Sequence, residues 1–328
     1  MVERRVQVRE GWSAATWLKS REMGIFLALL VICLFIISTG AREAFLRPLN
    51  LQNLSRQIAL LGIFAVGEAL VIIAGGIDLS VGSLIAFSGV YCALLMAEHG
   101  WPLLTSILAV LAGSAFIGVV HALLIDRFNL PPFVVTLGSL CMLRSIALLR
   151  TNSMPVPVDL EAFHFLGNGR VAGIPVPVLF FVGVAGLGEG LMRLTPIGRY
   201  LYALGGNEEA ARLSGLKIIR IKMVAYGLCS LLTGLAGVLY AAYNRQGMPG
   251  SGVAYELNAI AAAVIGGCSL SGGQGTVLGT VLGACILNVI LNGINLIIRH
   301  NASLWEGVIV GSVVVLAVMF NSLRQQRR

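Results

Sequence analysis

The sequence predicts an all-α polytopic membrane protein, and three observations carry that prediction. Of its 328 residues 57% are hydrophobic and only 12% charged, where a soluble domain carries about 25% charged residues. The apolar residues fall into repeated runs, many of them near the roughly 20 residues an α-helix needs to cross about 30 Å of hydrocarbon. The 40 glycines suit helices that approach one another closely inside a bilayer. Mean hydropathy is +0.88, more apolar surface than a soluble fold can hide.

The chain divides into a tail at 1–22, a transmembrane domain at 23–322 and a short tail at 323–328. The first tail carries Arg4, Arg5, Arg9, Lys19 and Arg21. The run Gly24–Gly40 follows, with small residues near its end as a cleaved signal peptide would have. Its length and the many runs after it read instead as a first span. The full set of expected spans is 24–41, 55–75, 80–97, 103–126, 132–150, 174–193, 220–244, 256–268, 275–298 and 303–322. Two of these, 80–97 and 256–268, are short enough to be re-entrant or broken. The expected count is therefore about ten, with eight as the alternative.

Orientation follows from the bases. The loop 194–222, with Arg193 at its edge, holds Arg199, Arg212, Lys217, Arg220 and Lys222, and excess Lys and Arg mark the cytoplasmic side. Both tails are basic too, so both termini are expected in the cytoplasm and the count even. The net charge of +8 thus reads as membrane orientation, with no nucleic-acid partner. Residues 42–56, with Arg42, Arg47 and Arg56 against Glu43, run against that rule, since the count places them outside as a loop. Residues 151–173 fall outside as well.

Six cysteines lie in or beside apolar runs with no CxxC pair, and four histidines are scattered without metal-ligand spacing. They read as small core hydrophobes and isolated imidazoles, with no metal and no cofactor. No G-x-x-x-x-G-K-[ST], H-E-x-x-H or G-x-S-x-G occurs, so no ATP hydrolysis or other catalysis is expected on this chain.

An internal echo runs between Gly75-Gly76-Ile77-Asp78-Leu79-Ser80-Val81-Gly82 and Gly266-Gly267-Cys268-Ser269-Leu270-Ser271-Gly272-Gly273. Paired Gly-interrupted segments in two halves point to a transporter's pathway. Glu68 and Asp78 are the ionisable residues deepest in apolar sequence, and an intramembrane carboxylate faces protein or water. Asp78 reads either as a cap for the helix that begins near Ser80 or as a pathway group. Glu68 reads as an interhelical hydrogen-bonding group or a pathway group. Asn288, Asn292 and Asn295 share one helix face by their spacing, as a path for a polyol or as glue between helices. Arg144 and Arg150 read as interfacial arginines, or as the rim on which an outside partner docks.

The stretch Asn207-Glu208-Glu209-Ala210-Ala211-Arg212-Leu213-Ser214-Gly215 is a complete short-helix signal. Asn207 caps, Glu208 and Glu209 suit the N-terminus, Arg212 the C-terminus, and Gly215 supplies a left-handed stop. A helix of about two turns is not stable alone, so its flanks or a partner must hold it.

The motif Glu209-Ala210-Ala211-x-x-x-Gly215 resembles the E-A-A-x-x-x-G core that ABC importer permeases present to their ATPase. With Gly76-Ile77-Asp78-Leu79-Ser80-Val81-Gly82-Ser83, Ala203-Leu204-Gly205-Gly206-Asn207, Tyr255-Glu256-Leu257-x-Ala259-Ile260-Ala261-Ala262 and Gly266-Gly267-x-Ser269-Leu270-x-Gly272-Gly273-x-Gly275, the chain is similar to the ribose-type sugar permeases. These are the membrane subunits of ribose, xylose, galactose and autoinducer-2 importers. The blocks reach from about residue 50 to the end. The E-A-A motif lacks the I-x-L-P ending of its longer forms. The resemblance implies an inner-membrane permease for a monosaccharide, working with a separate ABC ATPase subunit and a periplasmic binding protein. A second permease chain, identical or related, would complete the pathway in the lipid. It implies coupling through Asn207, Glu208, Glu209, Ala210, Ala211, Arg212 and Gly215. Glu68, Asp78, Ser80, Asn288, Asn292 and Asn295 are the pathway candidates. The rival readings are a proton-coupled secondary transporter using Glu68 and Asp78, and an ABC permease for branched-chain amino acids.

Overall fold

The computed structural model describes residues 21–298 and, beyond them, 305, 307–312, 315, 316 and 319. Most of the expected tails, and much of the expected span 303–322, lie outside the described residues. Within them the regular structure is helical apart from two-residue strands. Helix α1 is Arg21–Ser38, α2 Arg42–Leu46, α3 Pro48–Ile73, α4 Val81–Ala97, α5 Leu103–Arg127 and α6 Pro132–Arg150. After β1 (Val156–Pro157) come α7 (Glu161–Asn168), β2 (Arg170–Val171) and β3 (Ile174–Pro175). Then follow α8 (Val176–Leu194), α9 (Pro196–Gly206), α10 (Glu208–Leu213), α11 (Ile218–Asn244), β4 (Gln246–Gly247), α12 (Tyr255–Ile265) and α13 (Val277–Ile297).

Among the described residues six helices are long and apolar enough to cross a membrane: α3, α5, α6, α8, α11 and α13. Glu22–Ser38, α4 and α12 are shorter apolar helices. Proline sets several starts, at Pro48, Pro132, Pro177 and Pro196, because the first turn has no use for the missing N–H.

Helix α3 is the axis of the bundle. Every residue from Ala59 to Ile73 is buried, and α11, α13, α8 and α12 pack around it. Helix α11 lies in turn against α5 and α4. The α3–α11 crossing is close because Gly67 has no side chain: a Cβ there would stand 2.9 Å from Cys229 Cα. Small residues bring these backbones together as expected for membrane helices.

The expected outer loop at 42–56 is not a loop. It is α2 followed by the first turns of α3, which begins at Pro48 rather than at 55. Arg42 and Arg47 are exposed, and the third arginine is absorbed. Arg56 is buried and donates to Asn53 Oδ1 at 3.3 Å and to the Asn168 carbonyl at 3.2 Å.

Both Gly-rich breaks end a helix in the same way. After α3, Gly75 takes φ +85°, its N–H bonds Ile72 O, and Gly76 N–H bonds Val71 O. After α12, Gly267 takes φ +92°, with N–H to Val264 O and Cys268 N–H to Ala263 O. Each is a Schellman stop, which needs a residue tolerant of the left-handed region. The equivalence is Gly75 with Gly267, one residue out of step with the alignment by sequence. The second break is also the longer, 266–276 against 74–80.

The bundle has two polar ends. At one, α9 and α10 sit beside the breaks. At the other, Glu98 meets Arg150 at 2.5 Å, and β1 pairs with β4 as Val156–Gly247 and Pro157–Gln246.

Candidate functional site

The first polar group lies where α3 breaks. Glu68 Oε1 accepts the Asp78 N–H at 3.1 Å, and Cys229 Sγ faces its other oxygen at 3.8 Å. Asp78 Oδ1 accepts both from Ser80 N–H at 2.8 Å and from Ser80 Oγ–H at 2.6 Å. Its Oδ2 lies 3.7 Å from His121 Nδ1, and His121 Nε2 is 2.6 Å from Ser139 Oγ. All of these side chains are buried. The expected capping by Asp78 is corrected in detail: it holds one amide just ahead of α4, and Ser80, at the cap position, makes no side-chain cap bond. The result is a tight turn that ties the break to α3 and to α5.

The second group is the short helix. Asn207 Oδ1 accepts from Ala210 N–H at 2.8 Å, so Asn207 caps α10 as expected. At the other end Gly215 has φ +81°, its N–H bonds Arg212 O, and Leu216 N–H bonds Ala211 O. A charge network holds the helix from behind. Glu208 Oε1 accepts from Arg212 at 3.0 Å and from Lys222 at 2.9 Å, while Lys222 also reaches Asp126 at 3.4 Å. Partial burial pushes the Glu208 carboxyl up, but hydrogen bonds and charge from Lys222 and Arg212 outweigh it and hold it below its ordinary value of 4.5. Ala211 faces inward, Glu209 and Ala210 face out, and Leu213 is 84% exposed.

A short backbone path joins the two groups. Gly205, at the end of α9, lies against the Ile73 carbonyl, and a Cβ on it would stand 2.6 Å from Gly273 N. Gly273 N–H itself bonds Ile73 O at 2.9 Å. A Cβ on Gly272 would lie 2.9 Å from Gly75 Cα. Both breaks and the helix that leads into α10 therefore touch through glycine, with no side chain between them to take up a displacement.

The asparagines separate. Asn288 is buried and donates to the Ala284 carbonyl of its own helix. Asn292 exchanges two hydrogen bonds with Asn50 of α3, at 3.1 and 2.9 Å. Asn295 is exposed on the same helix.

A family model described as "Branched-chain amino acid transport system / permease component" matches residues 50–320. The chain belongs to this permease family. It is 39% identical over 303 residues to the ribose import permease protein RbsC of Bacillus subtilis, covering 92% of each chain. It is 38% identical to the ribose import permease protein RbsC of Escherichia coli K12, over 94% of this chain and 95% of that one. It is 36% identical to the L-arabinose ABC transporter permease protein AraH of Azospirillum brasilense, over 95% and 91%.

In this permease the sequence singled out Glu68, Asp78 and the Asn207–Gly215 helix, and the structure brings Glu68, Asp78 and Ser80 together. Sequence reasoning passed over His121, Ser139, Asn50, Asp126 and Leu213. His121 carried a signal: it is a lone imidazole inside an apolar run, about two turns from its end, where a polar group faces protein. Asp126 and Lys222 are far apart in sequence, so only the fold pairs them. Arg144, read as an interfacial or rim arginine, is half-buried, and its Nη1 donates to the carbonyls of Pro249, at 2.9 Å, and Ser251.

Proposed function

We propose that this chain is the membrane-spanning permease subunit of an ATP-binding cassette importer, and that its cargo is a monosaccharide. It is a permease, not an enzyme, and hydrolysis belongs to a separate ATPase subunit. The observation that carries the sugar reading is the identity of 36–39% with ribose and arabinose permeases over more than nine-tenths of the chain. The family model bears the name of branched-chain amino-acid transport, and that cargo is the second reading. The sugar reading weighs more, because a family model spans many substrates while the full-length relatives are individual permeases.

The further assignments rest on the same reading. Ten spans cross the inner membrane, nine of them supported by the six long and three shorter apolar helices. The tenth is 303–322, the domain is 23–322, and both termini face the cytoplasm. The two matching Schellman stops support an internal repeat. A periplasmic binding protein delivers the sugar, and a second permease chain, the same or related, completes the path. The ATPase grips Asn207, Glu208, Glu209, Ala210, Ala211, Arg212 and Gly215. Glu68, Asp78, Ser80, Asn288, Asn292 and Asn295 serve the substrate pathway. Glu68, Asp78 and Ser80 are closed off here, so their contact with sugar belongs to a state in which the two breaks have moved apart.

The test is uptake by the reconstituted complex, with its own binding protein, across pentoses, hexoses and branched-chain amino acids. Saturable uptake of one sugar and none of the amino acids is the expected result. Leucine or valine uptake without sugar uptake would reverse the assignment.

A further inference from the structure

Between α11 and α12 the chain runs as an irregular strap, 245–254. Three of its residues lie in the left-handed region, Arg245 at φ +59°, Gly252 at +71° and Ala254 at +64°, of which two have side chains that disfavour it. The strap follows α4. A Cβ on Gly247 would stand 2.7 Å from Val90 Cα, and Gly252 O packs directly on Gly82. At about 1.5 Å per helical residue, the strap descends roughly 12 Å, ending about 22 Å from the Ala97 end of α4.

Irregular backbone at membrane depth survives only where it is buried in protein or lines a wet cavity. Here part of the strap is satisfied from within. Ser251 N–H bonds Met248 O at 3.1 Å, and Arg144 of α6 takes the carbonyls of Pro249 and Ser251. Glu256 lies within electrostatic reach of Arg144. One Glu256 oxygen is buried without a hydrogen-bond partner among the described residues. The other side of the strap is open: Val253 is 69% exposed and Leu257 49%. Lipid cannot front such a backbone, and a carboxylate set beside it is an acceptor for hydroxyl groups.

We infer that the strap Met248–Ala254 lines the translocation pathway at mid-membrane depth, with Val253 facing the water-filled path and Arg144 as its positioning residue. The inference rests on the transport reading above but not on the identity of the cargo.

The experiment uses the complete transporter in proteoliposomes, with exposed Cys141 replaced by serine. Val253→Cys and, as a lipid-facing comparison, Leu187→Cys on α8 (Leu187 is 78% exposed) are treated with a charged, membrane-impermeant thiol reagent. The strap reading expects Val253→Cys to react at least about tenfold faster, because thiols react as hydrated thiolates, and the modified transporter to lose uptake. Adding Arg144→Gln should change that rate several-fold, and Arg144→Lys should bring it back toward the parent. Equal, slow labelling at Val253 and Leu187 would overturn the proposal by placing the strap against lipid. Ready disulfide formation between two Val253→Cys chains without labelling would overturn it in favour of a dry interface between copies. Fast labelling at Val253 in a transporter that moves no sugar would sustain the strap and sink the sugar assignment.

Discussion

The short helix α10 shows at single residues how a surface divides into a held side and an open side. Its inner side is tied down by Ala211, Glu208 and Lys222, and its outer side offers Glu209 and Leu213. Glu209→Lys should leave the protein inserted and abolish uptake, since it reverses charge on the exposed side; normal uptake would remove the helix from the coupling role. Leu213→Asp should behave likewise, seen as lost stimulation of the ATPase by loaded binding protein. Asn207→Ala removes the cap and should cost about 1 kcal/mol in local helix stability, seen as faster amide exchange over 208–213. Glu208 titrates below its ordinary range in the folded protein. Its contribution is therefore complete above about pH 4.5 and lost as pH falls through the lower folded value. Exchange protection of α10 should drop at that acid edge in the parent but not in Glu208→Gln. At the break, Asp78→Asn keeps an acceptor for Ser80 and should be milder than Asp78→Ala. Equal, severe losses of uptake would instead give the charge itself the role. Asn292→Leu takes one donor and one acceptor from half-buried Asn50, which keeps its bond to the Phe45 carbonyl at 3.0 Å, at a cost of about 1 kcal/mol, and Asn50→Leu with Asn292→Leu should recover thermal stability. If the double variant is stable and still fails to transport, the pathway role of Asn292 stands.

At the scale of elements, glycine-to-glycine contact joins α9 to both breaks. Gly205→Ala would press a methyl on the Ile73 carbonyl and Gly273 N, and neither can yield without shifting the hydrogen bond that joins the two breaks. We expect ATP hydrolysis to survive and uptake to fall by at least about tenfold, measured in the same vesicles; coupled uptake at the parent rate would contradict the contact's role. The long apolar helices were legible in the sequence, because apolar runs bounded by Pro and Gly leave little choice, but α2, α7 and α9 were not, since they lie in the stretches 42–56, 151–173 and 194–222 that read as loops. The start of α3 was misjudged because Arg42, Arg47 and Arg56 look like a loop until Arg56 finds its partners 112 residues away at Asn168. Register between the two breaks was misjudged by one residue, since glycine pairs look alike in sequence and only φ distinguishes the left-handed one. Helix α10 was legible whole, because caps are local chemistry. The His121–Asp78 approach and the Asp126–Lys222 pair were not, because nothing local connects them.

For the whole molecule, one buried axis, α3, meets α11, α12 and α13 beside it, the breaks at its end and α9 beyond them. On the proposed coupling, a motor that displaced α10 would act on both breaks together. An importer built this way alternates between states only if ATP binding favours one of them, which requires different contacts in each. The central claim is that energy enters through the short helix and not through Glu68 and Asp78 as a proton relay. Its most direct test is sugar uptake in proteoliposomes holding this permease, its ATPase and its binding protein, with and without a protonophore. The account predicts uptake that requires ATP and the ATPase subunit and is unchanged by the protonophore. Uptake that persists without the ATPase and collapses when the proton gradient is discharged would contradict it.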